Sequence, residues 1–481
     1  MDFLIKFAQT HETFRLAEIE ALAIVENVDL IVAEYSLTSP LCLVRLPSAE
    51  AAQKLIRRSV LAQSIHELWG FGRDLDALHE SVKDRTRHCW TRYARPSFKF
   101  VFESYQGARS DSRKLSIINS FDYLPFEGPI RMSRPDQVFT IFETWPYNSP
   151  VLGIENPEMM YFGRFVACSS RDVILRFDLK KRGYISTTSM DSELSLVTAN
   201  IALAAPGKLF YDPFVGTGSF PIACAHFGAL GWGSDIDGRI IRGGGGRKSL
   251  RGNFEQYGLN NYLGDFFSAD LTNTPIRETR RIWDGIVCDP PYGVREGLRV
   301  LGIRNPDKTP WLVEKGMKNA ALPDFVPPKK PYSFMAMLDD ILVFAAATLV
   351  DRGRLSFWMP TANDEEQEIP VPSHPCLELV VVCVQNFNKC EESIHHGQAP
   401  IGQDAKTGNT PRQAVSDTSA LIIFSPGSRR LITYRRIPDS QVSQSSLEAY
   451  QARGSAQQPG MTADDLNPFR RGYFRKFEAE D

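Results

Sequence analysis

The spacing of apolar residues divides the chain into two patterns. Residues 3–7 read as a strand. Phe14, Leu16, Ala17, Ile19, Leu22 and Ala23 form a helical stripe interleaved with Arg15, Glu18 and Glu20. Residues 30–35 and 41–46 are short apolar strands around Thr38-Ser39-Pro40, residues 49–68 read as a helix, and 97–102 alternate as a strand does. This half is α+β. From residue 183 the pattern becomes strand, helix, strand. Residues 208–214, 231–236, 262–269, 284–288 and 353–359 read as strands, with helices over 219–227 and 333–350. The run 284–288 is apolar on both faces, as in a buried parallel strand. Residues 377–387 and 420–424 are expected late strands. Repeated β-α-β units predict a doubly wound, mostly parallel sheet.

Length and composition sharpen this division. The 481 residues suggest two to four domains at about 150 residues each. Hydrophobic residues make up 43% and charged residues 23%, which excludes a wholly disordered or fibrous chain. Three domains follow: an N-terminal α+β domain over 1–75, a further domain over 76–180, and an α/β domain over 183–440. Asn388 to Asp417, rich in Gly, Gln and Pro, reads as a flexible insertion, and residues 441–481 read as a polar tail ending in aromatic and basic residues.

The net charge of −2 gives no overall attraction to a polyanion. Local charge differs. Between Lys83 and Lys114 nine basic residues face three acidic ones. Lys83, Arg85, Arg87, Arg92, Arg95 and Lys99 are candidate phosphate contacts, interleaved with Trp90, Tyr93, Phe98 and Phe100. A solvated helix face followed by a core strand explains the same pattern. Arg239, Arg242, Arg247, Lys248 and Arg251 make a second basic run, around Gly243 to Gly246.

The eight cysteines show no zinc-ligand spacing and read as reduced thiols of a cytoplasmic protein with no metal of its own. The longest apolar runs fall short of the ~20 residues that span a bilayer.

Two motifs carry chemistry. In Tyr211-Asp212-Pro213-Phe214-Val215-Gly216-Thr217-Gly218-Ser219, an acid ends a strand and glycines turn the chain into a helix. The acid would repel a pyrophosphate but suits a cationic ligand end, such as the amino group of S-adenosylmethionine. A purely structural turn fits the glycines equally well. Asp235 follows Asp212 by 23 residues, at the next strand end, where an acid can hold ribose hydroxyls. Asp270 follows the third strand and is either a nucleobase-side contact or a turn residue. Asp237 reads as a turn residue.

The second motif is Cys288-Asp289-Pro290-Pro291-Tyr292-Gly293. Two prolines fix an extended backbone, so the Asp289 side chain and the Pro290 carbonyl form a rigid pair of acceptors. Such a pair can grip an exocyclic amine, and Tyr292 can stack on a flipped base. The amine is a poor nucleophile because its lone pair is delocalised, and acceptor contacts stabilise the charge that develops on methylation.

The two motifs, with Gly183-Tyr184-Ile185-Ser186-Thr187-Thr188-Ser189-Met190-Asp191-Ser192 and the following Val294-Arg295-Glu296, resemble the catalytic subunit of eukaryotic tRNA guanine-10 N2-methyltransferases. The motif-level likeness covers about 183–300. It implies a Rossmann-like (class I) methyltransferase domain with a mostly parallel seven-stranded sheet in the order 3-2-1-4-5-7-6, preceded by an α+β region that includes a THUMP-like RNA-binding domain over 76–180. It implies methyl transfer from S-adenosylmethionine to guanine N2 in tRNA, with Asp289, Pro290, Pro291 and Tyr292 catalytic. Asp212, Gly216, Gly218, Asp235 and Asp270 are then cofactor-binding, with Thr188 and Asp191 as weaker candidates. Arg295 and Glu296 shape the target pocket or pair with each other. A small zinc-binding activator subunit is the implied partner, and the apolar third-strand edge at Tyr262, Leu263, Phe266 and Phe267 offers it a pairing site. A DNA amino-methyltransferase shares the Asp-Pro-Pro-Tyr chemistry. A protein-glutamine methyltransferase generally prefers Asn before Pro-Pro-Tyr, and an RNA-binding scaffold has no need of the acids.

Overall fold

The structure, a computed structural model, describes residues 1–246, 248–293, 298–302, 328–361, 369–386, 428–453 and 466. The expected insertion at 388–417, the expected strand at 420–424, Arg247, Arg295 and Glu296 lie outside the described residues, as does the expected tail beyond 453 apart from Leu466.

Two seven-stranded sheets organise the described residues. The N-terminal sheet contains β1 (Asp2–Phe7), β2 (Ile31–Tyr35), β3 (Leu41–Arg45), β4 (Ala62–Gly72), β5 (Phe98–Tyr105), β6 (Gln137–Thr144) and β7 (Met159–Cys168). Its order is β2-β3-β1-β4-β7-β6-β5, and every neighbouring pair is antiparallel except β5 with β6. Because β4 pairs with β1 on one side and β7 on the other, the residues on either side of position 75 share this sheet.

One expectation needs correction here. Residues 49–68 do not form one helix: the helix Ala49–Arg57 ends, and β4 begins at Ala62. Ser48 caps the helix by accepting from Ala51 N, and Arg58 leaves helical geometry at the other end. Beyond it the apolar residues Ile65, Leu68 and Trp69 pack as strand residues do, and tertiary pairing overrides local helical spacing.

The C-terminal sheet contains β8 (Leu209–Asp212), β9 (Leu230–Asp235), β10 (Leu263–Ser268), β11 (Trp283–Cys288), β14 (Leu349–Pro360), β15 (Leu377–Gln385) and β16 (Arg429–Arg436), while β12 (Arg299–Leu301) and β13 (Lys329–Pro331) form a separate pair. Its order, β10-β9-β8-β11-β14-β16-β15, is the expected 3-2-1-4-5-7-6. Among the described strands of this sheet, β16 is the one that runs antiparallel to the rest.

The sheets are joined by a shared core and a buried polar knot. Phe14 stacks on Trp358 with centroids 5.6 Å apart. Glu18, fully buried, accepts from Ser59 Oγ, Val60 N and Leu61 N, and from Asn200 Nδ2 across the junction. Arg58 donates to Asn200 Oδ1 and to the Ala204 carbonyl, and lies 4.1 Å from the Phe227 ring centroid. The Thr13 hydroxyl donates to the Val384 carbonyl and accepts from Val384 N, which satisfies part of the β15 edge. These contacts fix the N-terminal region on the C-terminal sheet.

Candidate active site

In a doubly wound sheet, ligands bind beyond the carboxyl ends of the strands, where the order reverses. That point lies here between β8 and β11. A cavity of about 540 Å³ opens there. Four neighbouring strands each deliver a carboxylate to its wall: Asp212 from β8, Asp235 from β9, Asp270 after β10 and Asp289 after β11. Each strand is short and pinned by parallel pairing, so the acids inherit their spacing from the sheet.

Asp212 is 1% exposed, and its Oδ1 accepts from Phe214 N at 2.9 Å. Burial pushes its carboxyl well above the usual range, and the neighbouring Asp235 and Asp289 push the same way. Asp235 accepts from Asp237 N at 2.9 Å and Gly216 N at 3.1 Å, which ties the end of β9 to the glycine turn. Its carboxyl is also raised, mainly by burial. Gly216 lines the cavity at φ +50°, with nothing nearer than 4.0 Å to the place a Cβ would take. Open space beside a glycine, facing Asp235, is a cradle that a ribose and a cationic amino acid end can fill. Thr188 lines the same wall, beside Ser189, whose hydroxyl pairs with Thr217 Oγ1 at 2.8 Å.

Three expected cofactor contacts are placed differently. Asp191 caps the helix Ser192–Ile201, accepting from Glu193 N and Leu194 N, and is not among the residues lining the cavity. Gly218 also stands outside the lining, where φ +88° and Leu250 Cγ 3.2 Å from its ideal Cβ position make it a packing glycine. Asp270 does line the cavity, but its carboxylate is engaged: Oδ1 accepts from Thr272 N and Thr272 Oγ1, and Oδ2 from Leu301 N of β12. Its turn role therefore competes with any nucleobase role. Asp237, as expected, is a turn residue; it caps the helix Gly238–Arg242.

The Asp-Pro-Pro-Tyr turn lines the same cavity as the glycine turn. Tyr292 OH donates to Asp289 Oδ1 at 2.6 Å, and Arg429 Nη1 lies 3.5 Å from Asp289 Oδ2. Burial pushes the Asp289 carboxyl up, while Arg429 and Tyr292 pull it down. Pro290 and Pro291 line the cavity beside it. A rigid acceptor next to a wall of acids can hold an amine and face a cationic donor.

Nothing in the local sequence pattern marks Arg429 as a site residue. Two arginines open β16, and apolar periodicity does not mark such a start. Arg299 and Lys329, on the β12–β13 pair at the cavity wall, were missed for the same reason.

The expected phosphate-contacting residues lie in the N-terminal region, on and just after the helices between β4 and β5 and at the start of β5. Lys83, Arg87, Arg92 and Arg95 are exposed, and Lys99 is half-buried on β5. Arg85 is paired to Asp2 at 2.8 Å. The interleaved aromatics are mostly core: Tyr93 and Phe98 are buried, and Phe100 stacks on Phe162.

Comparison with known proteins agrees with this layout. Residues 1–171 match the family described as Tmrp11 THUMP N-terminal domain, and residues 180–300 match the RMKL-like methyltransferase domain. The chain is 43% identical over 395 residues to the tRNA (guanine(10)-N(2))-methyltransferase of Saccharomyces cerevisiae, covering 80% of this chain and 90% of that protein. It is 38% identical over 446 residues to the protein of that name from Schizosaccharomyces pombe, covering 85% and 92%. It is 35% identical over 400 residues to the human tRNA (guanine(10)-N(2))-methyltransferase TRMT11, covering 80% and 85%.

Proposed function

The chain belongs to the tRNA (guanine(10)-N(2))-methyltransferases, and on that footing we propose how its residues perform the reaction. The enzyme transfers a methyl group from S-adenosylmethionine to the exocyclic N2 amine of guanine 10 in tRNA. When bound, S-adenosylmethionine supplies the electrophilic methyl group. Asp235 holds ribose hydroxyls through a carboxylate already oriented by Gly216 N and Asp237 N. Asp212 and the open side of Gly216 receive the cationic amino acid end, and Thr188 borders it. Asp270 bounds the nucleobase side while it anchors β12.

In the same cavity, Asp289 Oδ and the Pro290 carbonyl accept from the two amine hydrogens. This favours the geometry in which the nitrogen lone pair leaves conjugation, and it stabilises positive charge developing on nitrogen. Pro291 stiffens the turn, and the Tyr292 ring offers a stacking face. The observation that carries this reading is the set of four acids on successive strand ends, with the Asp-Pro-Pro-Tyr turn at the sheet's reversal point. Asp289→Ala is expected to abolish methylation of guanine 10 while S-adenosylmethionine binding stays nearly intact; retained turnover overturns the assignment.

Residues 1–75 and 76–180 act as an N-terminal unit and a THUMP-like unit that share one sheet and dock tRNA, with Lys83, Arg87, Arg92 and Arg95 as phosphate contacts. Arg85 contributes to this surface only when it leaves Asp2. Residues 183–440 form the catalytic domain. The small zinc-binding activator subunit pairs with the outer edge of β10. Leu263, Phe266 and Phe267 of that strand pack against the core, and among the described residues its outer backbone edge has no strand partner. Slower hydrogen exchange in β10 on adding the subunit supports this site, and unchanged exchange contradicts it. Among the described residues no helix is long and apolar enough to cross a membrane, and we read the cytoplasm as the working compartment.

A further inference from the structure

We propose that Arg429 is a positioning residue for the transfer step, holding the Asp289 carboxylate and the Tyr292 hydroxyl in the arrangement the target amine meets. The inference rests on Asp289 as the amine acceptor.

Topology explains how this arginine reaches the site. The parallel strands of the sheet end at the cavity, whereas β16 runs antiparallel and begins there. Arg429, the first residue of β16, therefore projects from a rigid strand at the mouth of the Asp-Pro-Pro-Tyr turn.

The guanidinium is held on several sides. Nη1 is 3.5 Å from Asp289 Oδ2. Nε donates to Gln385 Oε1 at 2.7 Å, on the neighbouring strand β15. Nη2 lies 3.1 Å from Met190 Sδ. The guanidinium carbon sits 4.7 Å from the Trp358 ring centroid. The side chain is 15% exposed. Tyr292 is hydrogen-bonded to both Arg429 and Asp289, which closes a triangle. A planar fork fixed by contacts on several sides is a stationary charge, which a flexible lysine would not be.

Position and charge both follow from that triangle. The groups facing Asp289 are Arg429 from β16, Asp212 from β8, and Tyr292 and Cys288 from its own strand and turn. Burial raises the Asp289 carboxyl, and Asp212 is a second acid beside it; Arg429 is the cation that opposes both. A protonated carboxyl is a poor acceptor for the amine. Methyl transfer is therefore lost as pH falls through the carboxyl's folded value. Removing Arg429 moves that loss to higher pH, because the carboxyl then holds its proton more tightly.

The test is single-turnover methylation of a tRNA transcript by the full chain, co-expressed with the activator subunit, at saturating S-adenosylmethionine across a pH series. Arg429→Met is expected to slow transfer about 10- to 100-fold near neutral pH and to move the acid limb upward by about one pH unit or more. Arg429→Lys is expected to return the limb toward its native place without restoring the full rate. Equilibrium binding of S-adenosylmethionine changes less than about twofold in both, because Arg429 is outside the cofactor wall. A rate in Arg429→Met that equals the native rate, or falls by one constant factor at every pH, overturns the inference. If Arg429→Met does not fold, Arg429→Lys decides: native rate with a native profile contradicts positioning. Full activity of Asp289→Ala instead overturns the underlying reading, and this inference with it.

Discussion

In the N-terminal region the basic residues at 83, 87, 92 and 95 stand outside an aromatic core, whereas in the C-terminal sheet four carboxylates are carried to the walls of a cavity. Lys83, Arg87, Arg92 and Arg95 are exposed over a core that includes Trp69, Phe139 and Phe162. Asp212, Asp235 and Asp289 have burial as the largest influence on their titration. Exposed cations act through water and salt, so their effects are small, shared and screened. Carboxylates at the cavity wall act at contact distance with little screening, so one residue can decide the outcome. On the proposed assignment the same chain separates recognition at long range from chemistry at short range, and the buried contacts of Glu18 join the two regions.

That contrast breaks if single substitutions in the two regions have similar effects. The largest effect is expected at Asp289: replacement by alanine should lower methylation at least about 10³-fold with S-adenosylmethionine affinity nearly unchanged, as read by single-turnover rates and equilibrium titration. Next is the junction. Glu18→Ala leaves four buried donors without their acceptor and should cost about 3 kcal/mol or more in denaturant unfolding. A cost under about 0.5 kcal/mol would mean that the knot is not structural. Asp235→Ala should weaken S-adenosylmethionine about 10- to 100-fold while leaving tRNA affinity close to native. Each of Lys83→Ala, Arg87→Ala, Arg92→Ala and Arg95→Ala should weaken tRNA binding only a few-fold and lower the salt slope by about one. An unchanged slope would remove that residue from the docking surface. The smallest effect is expected at Asp191: loss of its cap should cost about 1 kcal/mol of stability with little change in cofactor affinity.

Much of the catalytic sheet was legible because the signals are local. A strand buried on both faces, a glycine turn after an acid, and two prolines after a strand each carry their own physical cause. The order of the seven strands agrees with the resemblance. Asp191 and Gly218 illustrate the limit of motif reading: both sit in the right segments, yet one caps a helix and the other makes room for Leu250. Linear spacing cannot tell a carboxylate that faces a cavity from one that accepts its own helix N–H groups. Residues 49–68 fail for another reason, because helical spacing ran on through Ile65 and Leu68, whose pairing partners are distant in sequence. Arg429 was invisible for a similar reason. Its role depends on β16 running antiparallel beside β14, and no residue near it announces Asp289.

One experiment tests the central claim most directly. The purified 481-residue chain, with the proposed activator subunit, is incubated with S-adenosylmethionine and two tRNA transcripts, one carrying guanine at position 10 and one carrying adenine there, and digested nucleosides are read by mass spectrometry. The expected result is N2-methylguanosine from the guanine-10 transcript alone, and none from either transcript with Asp289→Ala. N2-methylguanosine from the adenine-10 transcript, or undiminished product with Asp289→Ala, would contradict the account.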